Sequence, residues 1–86
     1  ANKKTSVDVL LDIYRHMRTA RAIEALEKAV AAAPNAAIMR YHLGMAYMAQ
    51  GNEVLAKDNL TQAVESNVEF RGLDEAKSVL ERIDAS

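Results

Sequence analysis

The sequence predicts an all-α chain, a short right-handed stack of antiparallel helix pairs, and three observations carry that prediction. Ala, Leu, Glu, Lys and Met dominate, residues that lose little side-chain freedom in a helix. The single proline, Pro34, and two of the three glycines, Gly51 and Gly72, fall at joints between apolar-periodic segments. Within those segments apolar residues recur at steps of three and four, and no β-type alternation of any length intervenes.

Each helix follows from local signals. The first is expected over about Ser6–Met17, with Thr5 as its cap and Val7, Leu10, Leu11, Tyr14 and Met17 as its stripe; Val9 and Ile13 widen that stripe, so neighbours should cover much of this helix. The second runs over about Ala20–Ala32, entered at Thr19, stopped by Pro34, and directing Ile23, Leu26, Ala29 and Val30 inward. A link of two or three residues predicts that these two helices are antiparallel neighbours.

Asn35 can cap the third helix, which continues to about Gln50, where "QGN" supplies a stop at Gly51 and a new cap at Asn52. The fourth spans about Glu53–Glu65, with Leu55, Ala56, Leu60, Ala63 and Val64 inward. After the polar joint "SNVEFRG", a fifth fills about Leu73–Ile83 along Ala76, Val79, Leu80 and Ile83.

Composition excludes several function classes. The 86 residues, half of them apolar and with net charge −1, describe one small domain and give no electrostatic reason to expect nucleic acid. The absence of cysteine removes disulfides, thiolate zinc sites and a cysteine nucleophile, and leaves the compartment open. No apolar run reaches the roughly 20 residues of a membrane span, so no membrane insertion is expected. The start, "ANKKTSVDV", lacks the apolar run of a secretory signal, and an opening Ala1 in place of Met is what a processed or truncated chain would show.

Shifting the sequence by 34 residues aligns Ala22 with Ala56, Leu26 with Leu60, Ala29 with Ala63 and Val30 with Val64. In the preceding helices Val9 meets Leu43 and Ile13 meets Tyr47, so a whole helical pair recurs. These residues resemble the tetratricopeptide repeats, whose pattern maps onto Leu43, Gly44, Tyr47, Ala56, Leu60 and Ala63, with the turn at Gly51 and Asn52. Gly44 sacrifices about 1 kcal/mol of helix propensity, tolerable where a neighbouring helix comes close, and Ala56 is the expected contact. Ala22, Leu26, Ala29 and Pro34 fit the first unit, but Leu10 stands where the glycine belongs, and Met17-Arg18 replace the turn; the second unit ends at Val68 rather than proline.

The resemblance implies units at residues 3–36 and 37–70 and a C-terminal capping helix at 71–86. The tail is also similar to that of bacterial tetratricopeptide proteins linked to exopolysaccharide export.

Residues Met39, His42, Met45 and Met48 raise the question of a metal site, since thioether and imidazole suit Cu(I). Three-residue steps spread them over half the helix circumference, and methionine serves more often as adaptable packing. His16 and His42 lack an acid or nucleophile in any recognisable constellation, and no phosphate loop or paired-carboxylate motif exists; neither an enzyme nor a bound cofactor is expected.

What the resemblance implies is a non-enzymatic scaffold that holds a peptide or helix of another protein on its concave side. By register that surface takes Ile38, Tyr41, His42, Met45 and Met48 from the second unit and Val7, Leu11, Tyr14 and Arg15 from the first, with Arg18 at its edge. Family members that grip carboxylate tails use Lys and Asn where this chain has Val7, Leu11, Tyr41 and Met45, so an apolar ligand is expected instead. Groove and core remain alternatives for the Met and Tyr positions. If they line the groove, Tyr41→Ala and Met45→Lys weaken partner capture and spare thermal stability. A structural end-piece of a longer array, or a self-associating module, is the alternative function.

Overall fold

The computed structural model describes residues 6–17 and 19–85. Five α-helices occupy them: α1 (Ser6–Tyr14), α2 (Ala20–Ala32), α3 (Ala37–Gln50), α4 (Glu53–Glu65) and α5 (Leu73–Ala85), with a 3-10 turn at Arg15–Met17. The described residues contain no strand, and the molecule is an all-helical, repeat-like stack of 43 × 29 × 22 Å.

Local chemistry sets most of the boundaries. Thr19 accepts the amide of Ala22 at 3.2 Å and opens α2; Asn52 does the same for Leu55 at 3.2 Å and opens α4. Gly51 ends α3 in the left-handed region at φ 91°, and the Asn52 amide then reaches back to the Tyr47 carbonyl at 2.9 Å. The expected cap at Asn35 is not used: Ala36 holds the N-cap position of α3, without a side-chain hydrogen bond. Thr5, the cap expected for α1, lies outside the described residues.

Helices α3 and α4 form the tightest pair. A Cβ placed on Gly44 would stand 2.6 Å from Cγ of Leu60 and 3.3 Å from the Ala56 carbonyl, so the absent side chain is what lets these helices meet. Around that crossing Leu43, Ala46, Tyr47, Ala56, Leu60 and Ala63 are buried. Helix α2 packs on the adjacent side of α3 through Ile23, Leu26 and Val30, and the Tyr47 hydroxyl donates to the Glu27 carboxylate across the seam. Burial and that carboxylate push the Tyr47 hydroxyl up to about 12. Helix α5 closes the far side against α4 through Ala76 and Val79.

The first helix departs from expectation. It packs on α3 and reaches α5, where Arg82 Nη1 meets Asp8 Oδ1 at 2.9 Å, and it does not lie closely against α2. The expected antiparallel α1–α2 pair is therefore not formed, and the physical reason lies at Leu10. Its counterpart, Gly44, has no room even for a Cβ, so an isobutyl group there blocks the same close crossing over Leu26. Val9 and Ile13, expected to widen the buried stripe, are 50% and 59% exposed as a result. Leu55, also expected inward, is likewise exposed.

The α3–α4 crossing sets two stability predictions. Leu60→Ala should cost about 3 kcal/mol by leaving a cavity at a fully buried site. Gly44→Ala should cost about 1 kcal/mol net, because overpacking against Leu60 outweighs the gain in helix propensity. Urea unfolding of the two variants checks both, and a stabilised Gly44→Ala would show that the helices have room to part.

Candidate functional site

The flank of α3 beside its α4-facing side carries Ile38, Tyr41 and His42 within little more than one turn. Tyr41 is the hub. Tyr14 from α1 meets it edge-on, with ring centroids 6.4 Å apart and planes at 87°, and Phe70 packs on it at 5.5 Å. Beneath the ring passes the backbone of Gly72, at φ 110°; a Cβ there would lie 2.6 Å from Cζ of Tyr41. Only glycine combines that conformation with that approach, so the chain turns under Tyr41 and enters α5.

This turn carries Arg71 and Glu75 to the rim of a cleft of about 770 Å³, lined by Val9, Leu10, Tyr14, Ile38, Tyr41, His42, Arg71, Gly72 and Glu75. Its wall is mostly aliphatic and aromatic, and the charged groups stand at one end. The Tyr14 hydroxyl lies 2.5 Å from Nδ1 of His42. Burial pulls the imidazole below its usual range and pushes the Tyr14 phenol up, so at neutral pH a protonated phenol is hydrogen-bonded to a neutral ring. Tyr41 is raised as well, first by burial and then by the Glu75 carboxylate. The lining thus combines uncharged rings and aliphatic side chains with a separated pair of opposite charges.

Four of the residues expected on the concave side come together here: Tyr14, Ile38, Tyr41 and His42. Others do not. Met45 is fully buried and presents no surface, which corrects its assignment to the groove; α1 closes over the side of α3 on which it stands. Leu11 and Met48 are half-buried against the core, Val7 is buried within it, and Arg15 is exposed and paired with Asp12 at 3.3 Å. Arg18 lies outside the described residues. In the row considered for a metal, Nδ1 of His42 is taken by Tyr14, and Met39 packs against the core. Among the described residues no three His, Asp or Glu side chains gather around one point.

Five lining residues were not expected at a site: Val9, Leu10, Arg71, Gly72 and Glu75. "FRG" immediately before a helix held the available signal, an aromatic residue followed by a glycine in a stretch read as a polar joint.

A stack of helices with a small-residue crossing and a cleft on one side defines a helical-repeat protein. The sequence pattern of the tetratricopeptide repeat matches residues 37–67, which span α3, the Gly51–Asn52 turn and α4. Such repeats generally mediate protein–protein interactions and are non-enzymatic scaffolds. No curated protein and no solved structure matches the chain. The finer likeness of the tail to exopolysaccharide-export proteins finds no support.

Two predictions follow from the geometry of Met45 and His42. Met45→Lys places an unpaired ammonium in the core and should lower stability by about 3 kcal/mol or more, in contrast to the harmless groove substitution expected above. For His42, whose folded-state value lies below its unfolded one near 6.5, the unfolded chain binds the extra proton as pH falls. Its stabilising contribution is therefore present above pH 6.5 and is lost progressively below it. Melting temperatures recorded from pH 7.5 down to 5 should fall for the native chain, and His42→Gln should fall less over the same range.

Proposed function

We propose that this chain is a non-enzymatic interaction scaffold that seats an apolar segment of a partner protein, a helix or an extended peptide, in the cleft beside Tyr41. The observation that carries the reading is the convergence of Tyr14, Ile38, Tyr41 and His42 on one apolar cleft. Its aromatic walls are held by Phe70, by the Gly72 backbone and by the Tyr14–His42 hydrogen bond, so little side-chain entropy is lost at the groove on binding. Arg71 and Glu75 at one end favour a ligand with polar or charged groups beyond its apolar anchor. No step of this function requires a metal, a cofactor or nucleic acid.

Self-association is a second reading, favoured by the exposure of Val9 and Ile13 on α1. Light scattering at high protein concentration separates it from a monomeric scaffold.

Ile38 is half-buried at the cleft wall and Arg71 is exposed at its rim, so both admit substitution with limited cost to the core. Ile38→Arg should abolish partner capture in a pull-down from the source cells, and Arg71→Glu should weaken it about tenfold. Glu24→Gln, on exposed α2, should leave capture intact. Equal capture by all three variants, each melting near the native temperature, would place the binding surface elsewhere.

A further inference from the structure

Among the described residues, every bend between helices but one is marked by a residue that helices reject or that accepts left-handed backbone. Pro34 and Asn35 lie between α2 and α3, Gly51 at φ 91° ends α3, and Asn67 at φ 59° and Gly72 at φ 110° shape the approach to α5. The bend between α1 and α2 has none of these: residues 6–33 contain no proline, glycine or asparagine. There the chain turns through the 3-10 segment at Arg15–Met17 and through Thr19, which is extended at φ −73° and ψ 156° and whose hydroxyl accepts the amide of Ala22. Two stretches of helix-forming sequence are thus set apart by a short 3-10 turn and one hydroxyl cap.

Packing does not hold that bend closed from within. Helix α1 does not lie closely against α2; its contacts are with α3 and α5. Its first turn meets the last turn of α5 through Asp8 and Arg82, and its last turn meets α3 through Tyr14 and His42. Val7, Leu10, Leu11 and Tyr14 supply the apolar contact. The surface that receives α1 is the same in every copy of the chain, so the α1 of another copy fits it equally well.

We propose that α1 is exchanged between two copies of this chain. In the exchanged dimer the 3-10 turn and Thr19 become helical, α1 and α2 join into one helix, and each α1 takes its place against α3 and α5 of the other copy. A helix over residues 6–32 is about 40 Å long and holds α1 beyond the start of α2, away from its own α3. The Asp8–Arg82 and Tyr14–His42 contacts are then made between copies, and Val9, Leu10 and Tyr14 of one copy line the cleft of the other. Straightening replaces a 3-10 turn and a cap with regular helical hydrogen bonds. The short tether opposes exchange, because it keeps α1 near its own site at an effective concentration of about 1 mM.

Exchange goes beyond the scaffold reading, which stands whatever the outcome. Light scattering of the full chain should show a dimer whose share grows as the concentration approaches about 1 mM. Ala20→Pro separates the two forms. Position 20 is the first residue of α2, where proline is accepted, and Thr19 before it already has the extended backbone that a proline requires. Inside a continuous helix the same proline removes a hydrogen bond and clashes with the preceding turn, so the dimer should weaken at least about a hundredfold while the monomer melts near the native temperature. Thr19→Ala, which removes the cap, should tighten the dimer about tenfold. Asp8→Arg and Arg82→Asp test the contact itself: each variant alone opposes like charges, whereas exchange between the two restores an opposite pair at both sites. Native mass spectrometry of the mixture, with one variant isotope-labelled, should find mixed dimers in excess of the half that random pairing gives, and high salt should shrink the excess. A native chain and a Thr19→Ala variant that both stay monomeric overturn the proposal. A dimer that survives Ala20→Pro, or that pairs at random in the mixture, also overturns it and moves the interface to an outer face such as that of Val9 and Ile13. If Ala20→Pro unfolds, the mixture alone decides.

Discussion

Everything in this fold is arranged around one crossing in which a backbone, rather than a side chain, meets its neighbour. Gly44 gives α3 a flat patch against which Leu60 lies, and the Ala56 and Ala63 positions keep α4 flush with it. Because the two helices approach so closely, the rest of α3 is left to serve several neighbours at once: α2 along Leu43 and Tyr47, α1 along Tyr14 and His42, and the turn into α5 beneath Tyr41. A bulkier residue at position 44 would push α4 outward and disturb each of these contacts in turn, since cores transmit displacement instead of absorbing it.

The cleft shares its construction with the core. Tyr41 is only 3% exposed, yet its ring forms part of the cleft wall, and the groups that bury it are the same ones that shape the opening. Phe70 and Gly72 fix the ring from one side and Tyr14 from the other. A cleft wall built on side chains locked in this way is rigid. Helix α1 is the element least tied to its neighbour in sequence.

Local signals were legible in the sequence; the choice of neighbours was not. Thr19, Asn52 and Gly51 act within a few residues of themselves, and the boundaries of α2 and α4 were readable for that reason. Gly44 with Ala56 and Leu60 was readable because the 34-residue echo marked the positions and small residues explained them. Helical period, however, tells which residues share a face and says nothing of what covers that face. Met45 and Ile38 belong to one side by spacing, yet one is sealed and the other lines the cleft. The placement of α1 turned on a single steric conflict at Leu10, whose consequence is visible only beside the geometry of Gly44. Phe70 and Gly72 were hidden in a stretch whose composition is polar, because a buried turn under one aromatic ring leaves no periodic trace.

The ion pair between Asp8 and Arg82, 74 positions apart, has a consequence for how the molecule folds and comes apart. In an open array each unit touches only the next, stability is close to a sum of neighbouring terms, and the ends melt first. Here the first described helix lies against the last as well as against the middle, so α1, α3, α4 and α5 close into a ring of contacts, with α2 packed on α3. Joining distant positions raises the contact order and slows folding relative to an open stack of equal length. It also couples α1 with α5, so that loss of either helix loosens the other.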